Sequence, residues 1–216
     1  MRNRYLAGFV VLLAIAILTP FIRRSFYPTP LQRLQDFAAG ADTRKAAVFI
    51  GDSLVELAKF SATICRLTVI NIGQAGARSG DVLWLVDEMS RIRFSPALLV
   101  IAVGINDAIA PDREPFAQSY PEIVRRAQAL AGKVLVVSLA PIAESGAVAS
   151  LVDRSRLPDV RQTIRQTAAD FSIPMIDVSA LATQGSPLSE DGVHLNRDGS
   201  IQWTSTIETA VSRQCP

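Results

Sequence analysis

Residues 48–57 read VFIGDSLVEL, an apolar run that stops abruptly at Gly51-Asp52-Ser53. A short continuous apolar run rich in Val and Ile is the pattern of a strand buried on both faces. The pattern recurs. KAAVFIG (45–51), LTVINIG (67–73), ALLVIAVG (97–104) and KVLVVSLAP (133–141) share it, and IPMIDVS (173–179) is a weaker fifth case. Helical segments are expected between them: Leu54 to Ser61, Gly80 to Arg91, Phe116 to Ala131, Pro158 to Phe171, and Arg197 to Arg213. Strand and helix alternate throughout, which predicts an α/β class with a five-stranded parallel sheet and right-handed crossovers. No internal repeat and no second domain interrupts the pattern.

The chain has 216 residues, with 22 Lys and Arg against 20 Asp and Glu, and a sequence pI near 8.7. That basic balance is misleading. Arg2, Arg4, Arg23 and Arg24 flank an apolar N-terminal run, and beyond Tyr27 acidic residues outnumber basic ones, 20 to 18. Such a charge distribution leaves no footprint for nucleic acid. Arg pairs such as Arg125-Arg126 read as solvated helix faces.

The run YLAGFVVLLAIAILTPFI, Tyr5 to Ile22, carries no charge. A helix of that length rises about 27 Å, enough for a bilayer core. A secretory signal would share the basic start, but TPFIRRSF lacks the small-residue cleavage pattern. The expected organisation is therefore 1–26 as a membrane anchor or signal sequence, 27–45 as a linker with a short helix, and 46–216 as the folded domain. Positive charge is nearly balanced on the two sides of the run, so the positive-inside rule favours an outward-facing domain only weakly.

Cys65 and Cys215 are the two cysteines, and His194 is the single histidine. No zinc or iron–sulfur set can be assembled from them, and no cofactor is expected. Both cysteines fall at the amino edge of the expected sheet, near the ends of the first crossover helix and the last helix. A disulfide there would imply an oxidising compartment. Alternatively Cys65 is a small buried apolar residue and Cys215 a thiol in a frayed tail.

In open parallel sheets, sites form beyond the carboxyl ends of the strands. The first strand leads to Gly51-Asp52-Ser53, the second to NIGQAGARSG with Asn71, Gly73, Gly76 and Gly80, and the third to GINDA with Asn106 and Asp107. A loop after the fifth leads to SEDGVHLNRDG, holding Asp191 and His194. Each feature has a plain structural explanation: Ser53 as a helix N-cap, the glycines as turn formers, Asn106 as a turn residue, His194 as a surface side chain. Together they supply a nucleophile, a base, an orienting acid and oxyanion donors at one edge, the parts needed for acyl transfer.

In these blocks the chain resembles the GDSL or SGNH hydrolase family. The matching positions are Ser53 in GDSL, Gly76 in NIGQAG, Asn106 in GIND, and Asp191 with His194 in DGVH, and the resemblance spans about residues 46–213. It implies a flavodoxin-like three-layer α/β/α sandwich and ester hydrolysis. It also implies Ser53, Asp191 and His194 as catalytic residues, with an oxyanion hole from Ser53, Gly76 and Asn106. The second block matches most loosely, so Gly73 stays an alternative to Gly76. Asp177, at the end of the fifth strand, is the alternative acid.

Three other functions remain to be weighed. A nucleotide or flavin site fits the fold class, but GQAGARSG misses the G-x-G-x-x-G fingerprint. The same triad could pass an acyl group to a sugar hydroxyl instead of water. A binding module without activity would have no use for the full set of polar parts. The α/β-hydrolase nucleophile elbow is absent, because Val55 stands where G-x-S-x-G requires glycine. The expected substrate is a short-acyl ester, probing a pocket shaped by the segment after the fourth strand, on an envelope glycan or lipid.

Overall fold

A computed structural model describes residues 28–110, 114–179, 181 and 188–215. The expected N-terminal apolar helix and anchor lie outside the described residues. Among those described, no helix is long and apolar enough to cross a membrane.

The elements are α1 (Pro30–Gly40), β1 (Ala46–Gly51), α2 (Ser53–Leu57), β2 (Thr63–Ile64), β3 (Leu67–Asn71), α3 (Ser79–Arg91) and β4 (Leu98–Ala102). They continue with α4 (Ile105–Ile109), α5 (Phe116–Leu130), β5 (Lys133–Val137), α6 (Leu157–Asp170), β6 (Met175–Ile176) and α7 (Arg197–Ser212). The sheet order is β2-β3-β1-β4-β5-β6. All pairings are parallel except β2 with β3.

The five expected strands therefore form the parallel sheet, and β2 is a sixth strand that the sequence reading lacks. It has two residues, too few for a hydrophobic period to register. Cys65 and Arg66, with φ of 54° and 60°, make the tight turn that folds β2 antiparallel onto β3, pairing Ile64 with Leu67. A two-residue hairpin turn of this kind, with positive φ at both central positions, is normally supplied by Asn-Gly, so Cys-Arg gave no signal. The helix expected over Leu54 to Ser61 also stops early, at Leu57. The Asn71 amide donates to the carbonyls of Val55, at 2.6 Å, and Ala58, at 3.3 Å, and ends it there.

Alternate strand residues face opposite layers, as the two-residue strand period requires. Val48, Ile50, Leu99, Ile101 and Val136 pack under α1, α3, α5 and α6. Phe49, Val100, Leu135 and Val137 pack under α2 and α7, where Trp203 and Ile207 are buried. Both faces are covered, which is why the strands read as continuous apolar runs. The short helix α1 docks on the first face: Leu34 is fully buried, and the Arg33 guanidinium donates to the Asn71 carbonyl at 2.7 Å. Cys65 and Cys215 form a disulfide, fastening the end of α7 to the β2–β3 turn.

Candidate active site

Strand β1 delivers Ser53 to the carboxyl edge of the sheet. Gly51 permits this, because a Cβ there would lie 2.0 Å from the Ala102 carbonyl oxygen of neighbouring β4. Asp52 then breaks the strand and caps α2, its carboxylate accepting from the Leu54 N–H at 3.0 Å. Ser53 opens the helix, and an N–H in that position has no intrahelical acceptor.

His194 Nε2 lies 2.9 Å from Ser53 Oγ, and His194 Nδ1 lies 2.7 Å from Asp191 Oδ2. Nδ1–H therefore donates to the carboxylate, leaving the Nε2 lone pair for the serine hydroxyl; this tautomer is assigned from the partners. The other carboxylate oxygen of Asp191 accepts from the N–H groups of Val193 and His194 and from the Ser189 hydroxyl, each at 2.9 Å. Burial alone would raise the Asp191 pKa. The amide of Val193, the imidazole and amide of His194, and the Ser189 hydroxyl outweigh it and hold the carboxyl well below the usual range. Asp191 is thus ionised wherever the imidazole needs a counter-charge.

Asp177 is engaged elsewhere. It accepts from the Ser179 N–H at 2.8 Å and the Ser138 hydroxyl at 3.2 Å, a local turn at the end of β6.

The two candidate glycines of the second block separate cleanly. The Gly73 N–H donates to Asn71 Oδ1 at 2.9 Å, and a Cβ on Gly73 would lie 2.2 Å from the Glu56 nitrogen. Gly73 is a packing glycine. Gly76 has φ of +76° and open space where a Cβ would stand, and among the described residues no acceptor takes its N–H. The Gln74 N–H donates to the Gly51 carbonyl at 3.0 Å, which holds this loop beside the end of β1. Asn106, in the first turn of α4, spends one amide hydrogen on the Ala77 carbonyl at 2.9 Å.

Two features were not singled out from sequence. Buried Asp107 accepts from the Ser79 N–H at 3.1 Å and the Ser79 hydroxyl at 2.5 Å, and the Ser119 hydroxyl donates to Ser79 Oγ at 2.7 Å. This network ties α4, α3 and α5 together directly beneath Asn106 and the Gly76 loop; three small polar residues at helix starts carry no distinctive signal. Asp52 is the second. It is 3 % exposed, and burial pushes its pKa up to about 7, partly offset by the Leu54 N–H and His194 and reinforced by Asp107.

A cleft of about 400 Å³, including its open mouth, adjoins the triad. Asp52, Leu54 and Val193, chain neighbours of Ser53 and His194, contribute to its lining, and Ile105, Pro141 and Ile142 supply aliphatic wall. Among the described residues, no group of three or more His, Cys, Asp or Glu could hold a metal ion.

Residues 49–200 match the GDSL-like lipase/acylhydrolase family. No curated protein matches the sequence. Similar solved structures include the lipase/acylhydrolase from Enterococcus faecalis, at 19 % identity and a TM-score of 0.63, covering 78 % of this chain and 96 % of that one. A GDSL-like lipase from Bacteroides thetaiotaomicron shows 20 % identity and a TM-score of 0.63, covering 84 % and 98 %. An acetyl xylan esterase from Geobacillus stearothermophilus shows 17 % identity and a TM-score of 0.61, covering 77 % and 94 %.

Proposed function

The chain belongs to the GDSL-like lipase/acylhydrolase family and is an ester hydrolase, and on that premise we propose that it acts through an acyl-Ser53 intermediate on short-acyl esters of the cell envelope. The observation that carries the mechanism is the continuous hydrogen-bonded line Asp191–His194–Ser53. Ser53 Oγ attacks the acyl carbon while its proton passes to His194 Nε2. Asp191 steadies the imidazolium through Nδ1–H without taking its proton. The carbonyl oxygen becomes an oxyanion, met by the Ser53 and Gly76 amides and the second amide hydrogen of Asn106. His194 then protonates the departing alkoxide. In the second half-reaction water is deprotonated by His194, attacks the acyl carbon, and releases the acid and free Ser53.

A short acyl group suits a narrow cleft walled by Ile105, Pro141 and Ile142. Acetyl xylan esterases among proteins of the same fold support an acetyl group on a glycan. Placement of the domain outside the cytoplasm is supported by the disulfide and by the charge-free run Tyr5 to Ile22. The test is an aryl-ester series from acetyl to palmitoyl, run beside acetylated polysaccharide with acetate release measured and sugar acceptors added. A maximum at acetyl or butyryl, with acetate appearing in solution, is expected. A maximum at palmitoyl, or acyl transfer to the added sugar outrunning hydrolysis, overturns the substrate reading.

A further inference from the structure

The base and its acid sit on a loop closed by bonds of its own, among them the Ser189 N–H to the His194 carbonyl at 2.8 Å and the Gly192 N–H to the Ser189 carbonyl at 3.0 Å, and it is also held from outside. Residues 189–194 are fastened from outside by the segment after β5. The N–H groups of Val148 and Ala149 both donate to the Asp191 carbonyl, at 3.0 and 2.9 Å, and the Ala143 N–H donates to the Gly192 carbonyl at 2.9 Å. Two backbones can lie this close only where neither carries a side chain. A Cβ on Gly146 would stand 2.3 Å from the Asp191 carbonyl oxygen, and one on Gly192 would stand 2.4 Å from the Ser145 carbonyl oxygen. Both glycines have positive φ, +140° and +81°, where an L side chain is strained whatever the space.

The segment is itself anchored. The Arg154 guanidinium donates to the carbonyls of Ala143 and Glu144, the Ser150 N–H donates to the Gly146 carbonyl at 2.9 Å, and the Asp153 N–H donates to the Ala108 carbonyl at 3.0 Å. Its first residues, Leu139 to Ile142, form a wall of the cleft. The wall that meets substrate and the clamp on the catalytic loop are thus one continuous backbone.

We propose that Gly146 is a positioning residue for catalysis: its contact with the Asp191–Gly192 backbone sets the line from Asp191 through His194 to Ser53. It touches no reacting atom and acts only through Asp191 and His194. The inference rests on the triad of the proposed function. A Cβ at 2.3 Å from the Asp191 carbonyl oxygen must part the two backbones by about 1 Å to reach ordinary contact. A displacement near 1 Å in a catalytic group costs roughly 100-fold in rate.

The experiment is a double-mutant cycle in the full chain, reading kcat, KM and melting temperature for wild type, Gly146→Ala, Asp191→Asn and the double variant on a short aryl ester. Gly146→Ala is expected to lower kcat by about 10- to 100-fold, with KM changed by much less than kcat because the wall residues Leu139 to Ile142 precede the contact in the chain. The double variant is expected to lose clearly less than the product of the two single losses, since one of the two side chains that the contact positions is already disabled. Wild-type kcat in folded Gly146→Ala, or losses that multiply in the double variant, overturns the proposal. Should Gly146→Ala fail to fold, Arg154→Ala loosens the same clamp without inserting an atom. A several-fold loss of kcat at unchanged KM supports the proposal, and an unchanged kcat overturns it. Activity surviving in Ser53→Ala would instead remove the triad reading itself.

Discussion

His194 Nε2 stands 2.9 Å from Ser53 Oγ across 141 residues of chain. Ser53 is placed by the end of β1, while His194 is placed by the loop leading into α7, so nothing local enforces the contact. The stacking of α7 against the same sheet face as α2 brings the two segments together, and the backbone bonds from Ala143, Val148 and Ala149 hold the His194 loop in place.

That separation makes the first prediction specific. Ser53→Ala and His194→Ala should each reduce ester hydrolysis by at least about 10⁴-fold, because the nucleophile and base act as one unit. Neither side chain is a core element, so circular dichroism should be that of wild type. A fluorophosphonate should label wild type and not Ser53→Ala; labelling of the variant would place the nucleophile elsewhere.

Asp191 and Asp177 both follow strand-end turns, yet only Asp191 reaches the imidazole. Asp191→Asn should lower kcat by about 10²- to 10⁴-fold, less than loss of the serine or histidine, because it orients and stabilises without moving the proton. Asp177→Asn should change kcat by less than about threefold, with its effect confined to stability. The reverse ranking would exchange their roles.

Stability should carry the signature of Asp52. Its pKa is about 7 in the folded chain against an ordinary 3.8, so between those values the native state keeps a proton that the unfolded chain has released. Unfolding then releases a proton, and stability falls as pH rises from about 4 to about 7, levelling above. The loss is on the order of a few kcal/mol. Asp52→Asn keeps an acceptor for the Leu54 N–H and remains a good N-cap. Melting temperatures of variant and wild type should converge near pH 4 and separate towards pH 8, with the variant higher. Parallel curves across that range would refute the assignment.

The disulfide gives a third thermal readout. It closes a separation of 150 residues, and such a link typically contributes about 2–4 kcal/mol. Cys215→Ser should therefore lower the melting temperature on the order of 10 °C. Denatured protein from its native host should show no free thiol until reductant is added. Two free thiols beforehand would mean the bridge does not form in the cell.

The contrast between what sequence conveyed and what it withheld follows burial. The central strands are covered on both faces, so Val48 to Ile50 and Leu98 to Ile101 wrote themselves as unbroken apolar runs. Strand β2 and helix α4 are too short to develop a period, and the Cys65-Arg66 turn uses residues that seldom accept positive φ. Ser53, Asn106, Asp191 and His194 were legible because each follows a strand in a recognisable block. The choice between Gly73 and Gly76 was not, because it turns on which backbone N–H is already bonded. Asp52 and the Asp107–Ser79–Ser119 network acquire their character only from enclosure, which no window of sequence records.

Asn106 and Gly73 finally offer opposite outcomes from neighbouring parts of the site. The Asn106 amide has two hydrogens, and one is committed to the Ala77 carbonyl. In the proposed mechanism the other is the donor for an oxyanion that exists only during reaction. Asn106→Ala should thus lower kcat by about 10²- to 10³-fold while KM barely moves, because ground-state binding never used that hydrogen. Gly73→Ala should do the reverse. Its new Cβ meets the Glu56 nitrogen at 2.2 Å, so α2 must shift and the melting temperature should drop, and any loss of activity should follow the loss of fold. If Gly73→Ala proves stable but inactive, the oxyanion donor is Gly73 and the open amide of Gly76 has another purpose. Full activity in Asn106→Ala would remove the side-chain donor from the mechanism and leave the two backbone amides to hold the charge alone.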